Sequence, residues 1–103
     1  MHFLLFYDYL PDYMAKRDDY RSMHLTMAWH AHRRGELALG GAFSDTMDGA
    51  VMLFSGDSPE VAERFAASDP YVQNGLVSRW WVRPWATVVG DDAAMPSHPN
   101  GPS

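Results

Sequence analysis

The 103-residue sequence contains no cysteine, which excludes disulfides, thiolate nucleophiles, zinc–thiolate sites and iron–sulfur clusters. It is also poor in positive charge: eight Lys and Arg stand against thirteen Asp and Glu, a formal net charge of -5. Such a surface repels a phosphate backbone, so nucleic acid is not an expected partner. Long apolar runs are missing as well. The longest, residues 3–7, is far short of the roughly 20 residues a membrane span needs, and no basic stretch precedes it. The expectation is a soluble, cytoplasmic protein whose partner is a small molecule. A chain of this length holds one domain, so a separate cofactor lobe is excluded. With 47% hydrophobic and 14% aromatic residues it can form a real core. A short chain nevertheless leaves roughly a third of its surface exposed, which association with a second copy would reduce.

Punctuation along the chain marks the elements. Residues 2–7 are aromatic and Leu-rich and end at Asp8, Pro11 and Asp12, the pattern of a strand and turn. Residues 14–34 contain neither Pro nor Gly, and Gly35 follows Arg33 and Arg34, whose charge suits the negative end of a helix. Tyr20, Met23, Met27, Ala28 and Ala31 recur at the spacing of one helical face, with His24 inside the stripe. Residues 37–43 and 50–54 read as a β-hairpin joined through Asp48-Gly49. Ser58, Pro59 and Glu60 announce a second helix that stops near Ser68, because Pro70 disfavours helical geometry at Asp69. Residues 76–89 form the fourth strand, and Pro84 places it at an edge or bends it. Residues 90–103, with three prolines and little apolar bulk, read as a disordered tail beyond a domain at 1–89. His98 falls in that tail and has no expected role.

The order strand, helix, strand, strand, helix, strand suits an α+β, ferredoxin-like fold: a four-stranded antiparallel sheet with both helices on one face. The other face should then be polar. Instead Phe3, Leu5 and Tyr7 alternate with Leu4 and Phe6, Val51 and Leu53 alternate with Met52 and Phe54, and Trp80 and Val82 alternate with Trp81. A second copy packed sheet to sheet is the simplest cover, so a homodimer is expected.

The side chain with the most chemistry is His24, directed at the core, where an imidazole needs a partner. It reads either as a satisfied core histidine or as a functional one. Arg17 and Arg21 project from the same side of the helix and form a cationic edge or a solvated flank. Asp69 sits where the second helix ends, an unfavourable place for a carboxylate. It is either a local turn residue or the partner that fixes the tautomer of His24 and raises its basicity. His30 and His32 point about 200° apart on a helix, so a shared metal ion is not expected. Gly40-Gly41 lacks the context of a phosphate loop and reads as close backbone packing. No serine has the flanks of a nucleophile elbow.

Arg21-Ser22-Met23-His24-Leu25, Gly35-Glu36-Leu37 with Gly40-Gly41, Asp69-Pro70-Tyr71-Val72 with Gly75-Leu76, and Val82-Arg83-Pro84-Trp85 together resemble the YCII-related family over residues 1–89. Ala42 departs from it, standing where the family often has Pro. The resemblance implies the fold of the dimeric α+β barrel superfamily and an active site pairing His24 with Asp69. It implies cofactor-independent lyase or isomerase chemistry, such as dehydrochlorination, on a small cyclic or aromatic substrate. His24 would move a proton, Asp69 orient it and Arg17 meet an enolate, with Arg21 also among the substrate-binding residues and Tyr7, Ser44, Tyr71 and Trp85 as pocket walls. A non-catalytic ligand-binding module on the same pocket is the alternative reading, and a purely structural dimer the third.

Overall fold

The computed structural model describes residues 1–99. Its elements are β1 (His2–Tyr9), α1 (Tyr13–Arg33), β2 (Leu37–Ala42), β3 (Gly49–Ser55), α2 (Glu60–Ser68), α3 (Pro70–Gln73) and β4 (Val77–Trp85). All neighbouring strands pair antiparallel in the order β2-β3-β1-β4, so the chain has the expected α+β, ferredoxin-like fold. The apolar central strands β1 and β3 are flanked on both sides. Pro84 lies on the edge strand β4, where its missing N–H interrupts no second ladder.

Local chemistry explains where the elements stop. Gly35 and Gly75 both take positive φ, 80° and 77°, the left-handed step that glycine adopts without a Cβ penalty. After α1 the Glu36 N–H reaches the Ala31 carbonyl and the Gly35 N–H that of His32; after α3 the Leu76 N–H reaches the Tyr71 carbonyl. These bonds satisfy carbonyls that the helix ends would orphan. Ser58 Oγ accepts the Glu60 N–H at 3.3 Å, the expected cap of α2.

One face of the sheet carries the core. Phe3, Leu5 and Tyr7 of β1 and Met52 and Phe54 of β3 are buried beneath Ala62, Phe65 and Ala66 of α2 and Ala31 of α1. Gly40, expected as a close-packing position, is one: a Cβ there would lie 2.9 Å from Met52 Cγ, whereas at Gly41 it would meet nothing within 4 Å. Gly49 opens β3 rather than the turn before it, and a Cβ there would lie against the Tyr7 carbonyl oxygen.

Four departures from the sequence reading have physical causes. Met23 is exposed, and the inward face of α1 runs instead through Tyr13, Arg17, Tyr20, His24, Met27, Ala28 and Ala31, a 3- and 4-residue spacing that starts two turns earlier. The short helix α3 was not expected, because Pro70 was read as a stop for α2 and not as the first residue of a new turn. β1 continues to Tyr9. β4 ends at Trp85 because residues 87 and 88 leave the sheet to pair with the following segment: the Met95 N–H bonds the Thr87 carbonyl and the Ser97 N–H that of Val88. Of the segment read as a disordered tail, residues 100–103 lie outside the described residues.

Candidate active site

The site begins with a buried carboxylate. Asp69 is 0% exposed, the only buried charged side chain among the described residues. It ends α2 in an extended conformation and caps α3, its Oδ1 accepting the Tyr71 N–H at 2.9 Å. The unfavourable placement inferred from sequence is thus corrected: the carboxylate faces the positive end of the next turn. Tyr7 Oη donates to Oδ2 at 2.6 Å. His24 Nδ1 lies 2.9 and 3.0 Å from the two oxygens. An ionised carboxylate only accepts, so Nδ1 must carry the proton and Nε2 is the nitrogen left for a ligand. Helix α1, strand β1 and the α2–α3 junction each supply one member of the set.

The imidazole is fixed from its face as well. It stacks on Tyr71 at 3.9 Å between centroids and 9° between planes, with the Phe65 ring edge-on. Tyr13 meets Tyr71 edge-on and stacks on Tyr9 at 3.7 Å. Burial first, and then the negative charge and hydrogen bond of Asp69, push the Tyr7 phenol far above the ordinary tyrosine range, which keeps it a donor. Burial also raises Tyr9, with its Tyr13 neighbour adding to the effect. Tyr71 is raised by burial and by Tyr13, against a smaller lowering from the Arg21 charge.

Those three phenols have folded values above the unfolded value of about 10, so they contribute stability that is complete below pH ~10 and is lost as pH rises beyond it. The melting temperature is expected to start falling above pH ~10. Ultraviolet titration should show Tyr7, Tyr9 and Tyr71 ionising only as the protein unfolds. Full phenolate absorbance with helical circular dichroism intact would contradict this.

His24 opens on a cavity of about 500 Å³ between α1 and the β2–β3 hairpin. Its room comes from what the hairpin lacks: Gly40, Ala42 and Ala50 occupy positions where bulky side chains would fill the space beneath α1. Tyr7, Tyr9, Tyr13, Tyr71 and Arg21 line the wall near His24. Trp29, His32 and Leu39 line it further along α1.

Of the residues expected from sequence, the structure brings Tyr7, Arg21, His24, Asp69 and Tyr71 together. It does not bring the other three. Arg17 faces inward with Nε shielded from solvent, 3.5 Å from Asp18 Oδ1, and does not line the cavity. Ser44 is exposed in the β2–β3 loop, and Trp85 is 47% exposed at the end of β4, paired with His2; neither reaches the cavity. Trp85 follows Pro84 and falls on the opposite side of the sheet, and Ser44 lies beyond the last residue of β2. Sequence reading missed Tyr9, Tyr13, Trp29 and His32. The stripe extended back to Tyr13 would have found one of them. His32 and His30 do diverge, His30 lining a separate groove with Met23 and Met27.

A family model described as the YCII-related domain matches residues 1–86. No curated protein matches the chain. Among solved structures the chain is similar to 5-chloro-2-hydroxyhydroquinone dehydrochlorinase from Burkholderia phenoliruptrix AC1100, in complex with 2,5-dihydroxybenzoquinone. The TM-score is 0.72 at 21% identity, over 84% of this chain and 95% of that one. A protein of Agrobacterium tumefaciens gives 0.49 at 12% identity, over 90% and 96%.

Proposed function

Because the chain belongs to the YCII-related family, we propose that it is a small cofactor-independent lyase or isomerase that moves a proton on a planar cyclic substrate. The observation that carries this is the buried Asp69, which holds His24 Nδ1 and leaves Nε2 to an open cavity. His24 Nε2 takes a proton from a position adjacent to a carbonyl or enol, and the imidazolium that forms is stabilised by Asp69. The electron pair released becomes a new double bond. In a lyase the leaving group departs from the neighbouring carbon with its own pair, and the net loss is HX. Negative charge that builds on the substrate oxygen meets the Arg21 guanidinium in the cavity wall, the role sequence reading gave to Arg17. Tyr7 keeps Asp69 in place from the far side.

The dehydrochlorinase suggests where to look for a substrate. Chloride release from a panel of chlorinated di- and trihydroxybenzenes should exceed the protein-free rate and be lost in His24→Ala. Ligand binding with release no faster than without protein would replace this reading with that of a binding module.

The sheet face away from the helices supports a homodimer. Leu4, Phe6, Val51, Leu53 and Trp81 share it and are only half-buried; Phe6 stacks on Trp81 at 5.1 Å, and Arg79 lies over the Trp81 ring. Water against such a patch is costly, and a second copy removes it. Light scattering at micromolar concentration should give twice the chain mass, and Phe6→Glu should give the monomer. A monomeric wild type would contradict this.

A further inference from the structure

The cavity contains a second imidazole, and its surroundings differ from those of His24. His32 lies two turns further along α1, about 12 Å along the axis. Its Nδ1 lies 2.7 Å from the Leu37 carbonyl oxygen, which can only accept, so Nδ1 carries the proton. Both cavity histidines therefore offer Nε2, with a lone pair, to whatever binds. The partners separate their roles. His24 rests on a carboxylate; His32 rests on a neutral carbonyl, and among the described residues no carboxylate lines the cavity. In its neutral form His32 therefore presents Nε2 as a hydrogen-bond acceptor. Beside it Trp29 meets the His32 ring edge-on at 5.3 Å and is 56% exposed, a large aromatic surface open at the same end of the cavity.

On these grounds we infer that His32 is a specificity-determining residue. It accepts a hydrogen bond from a hydroxyl at the end of the ligand remote from His24, while Trp29 covers the ring that carries it. The inference rests on the proposed function for the ring at His24 and adds the class of ligand: a flat ring with a hydroxyl opposite the group that reacts. A neutral Nε2 with its lone pair exposed favours a hydroxyl there over a carbonyl or ether oxygen, which would leave two acceptors facing each other.

Two measurements test this without requiring turnover. Nitrogen-15 spectra of histidine-labelled protein at pH 8 should show His32 in the tautomer with the proton on Nδ1; a proton on Nε2 would overturn the inference, because the ring would then donate. Second, anaerobic chemical-shift titrations with hydroquinone and phenol compare rings that differ by one hydroxyl. Hydroquinone should bind about tenfold more tightly to the wild type. In His32→Phe, which keeps a ring against Trp29, the ratio should fall to about twofold, the statistical factor for two equivalent hydroxyls. A ratio unchanged in a folded His32→Phe protein, or absent in the wild type, would overturn the assignment. Failure of chloride release with the ratio behaving as stated would remove the proposed reaction and leave His32 its role in binding. Chloride release with an unmoved ratio would do the reverse.

Discussion

Asp69→Ala is expected to lower the melting temperature by about 15 °C. Three donors converge on this carboxylate: Tyr7 Oη, His24 Nδ1 and the Tyr71 N–H. The two tyrosine donors cannot recruit water easily, since Asp69 is fully buried and Tyr7 and Tyr71 are nearly so. Truncation leaves the donors unsatisfied and opens a void between α1, β1 and α3, at a cost of about 3 kcal/mol. In a domain of this size each kcal/mol shifts the melting temperature by roughly 4–8 °C. Asp69→Asn should recover a good part of that stability by keeping one oxygen acceptor and the side-chain volume. It should not recover activity, because an amide stabilises the imidazolium poorly and can select the wrong tautomer. Thermal melts followed by circular dichroism check both variants, and a loss below about 3 °C for Asp69→Ala would mean that the site does not depend on the carboxylate.

His24→Ala should produce the largest loss of turnover and a small loss of stability. General acid–base groups contribute roughly 10²–10⁴-fold to rate, and this substitution removes the proton carrier while Asp69 keeps the Tyr7 and Tyr71 donors. The expected result is a decrease of about 10³-fold in the rate of chloride release, with the melting temperature within a few degrees of wild type. Chloride assays and melts on the same preparation separate the two effects. Comparable rates in His24→Ala and wild type would assign the chemistry elsewhere in the cavity.

Much of this was legible in the chain, for reasons that differ by element. Gly35 after two arginines and Ser58-Pro59-Glu60 are local signals whose physics operates over one helical turn, and both mark real boundaries. The two-faced apolar pattern was read alike in β1, β3 and β4: parity fixes which residues share a face, but that β1 and β3 are central and β4 is an edge is set by strand order, which parity does not carry. Asp69 was legible as a candidate but not in its setting: that Pro70 begins a helix, turning the carboxylate into a cap, depends on Gly75 closing that helix five residues later. Met23 entered the stripe because a period counted from Tyr20 fixes the helical face only to within a residue or so, and Tyr13 stayed out because the helix was read from residue 14, whereas α1 begins at Tyr13. Trp85 and Ser44 were placed on the wall by resemblance, and register decided otherwise. The cavity itself was the least visible feature. It comes from small residues at Gly40, Ala42 and Ala50 meeting beneath α1, a coincidence of register between two strands and a helix that no single stretch of sequence encodes.

The most direct test of the central claim, that His24 and Asp69 work as one unit, is a double-mutant cycle on the rate of chloride release from the panel member turned over fastest. Wild type, His24→Ala, Asp69→Asn and the double variant are compared at one pH, each confirmed folded. If Asp69 acts only through the imidazole it holds, the double variant will be no slower than His24→Ala alone. If the two losses multiply, the carboxylate and the imidazole act independently, and the pairing at the centre of this account is wrong.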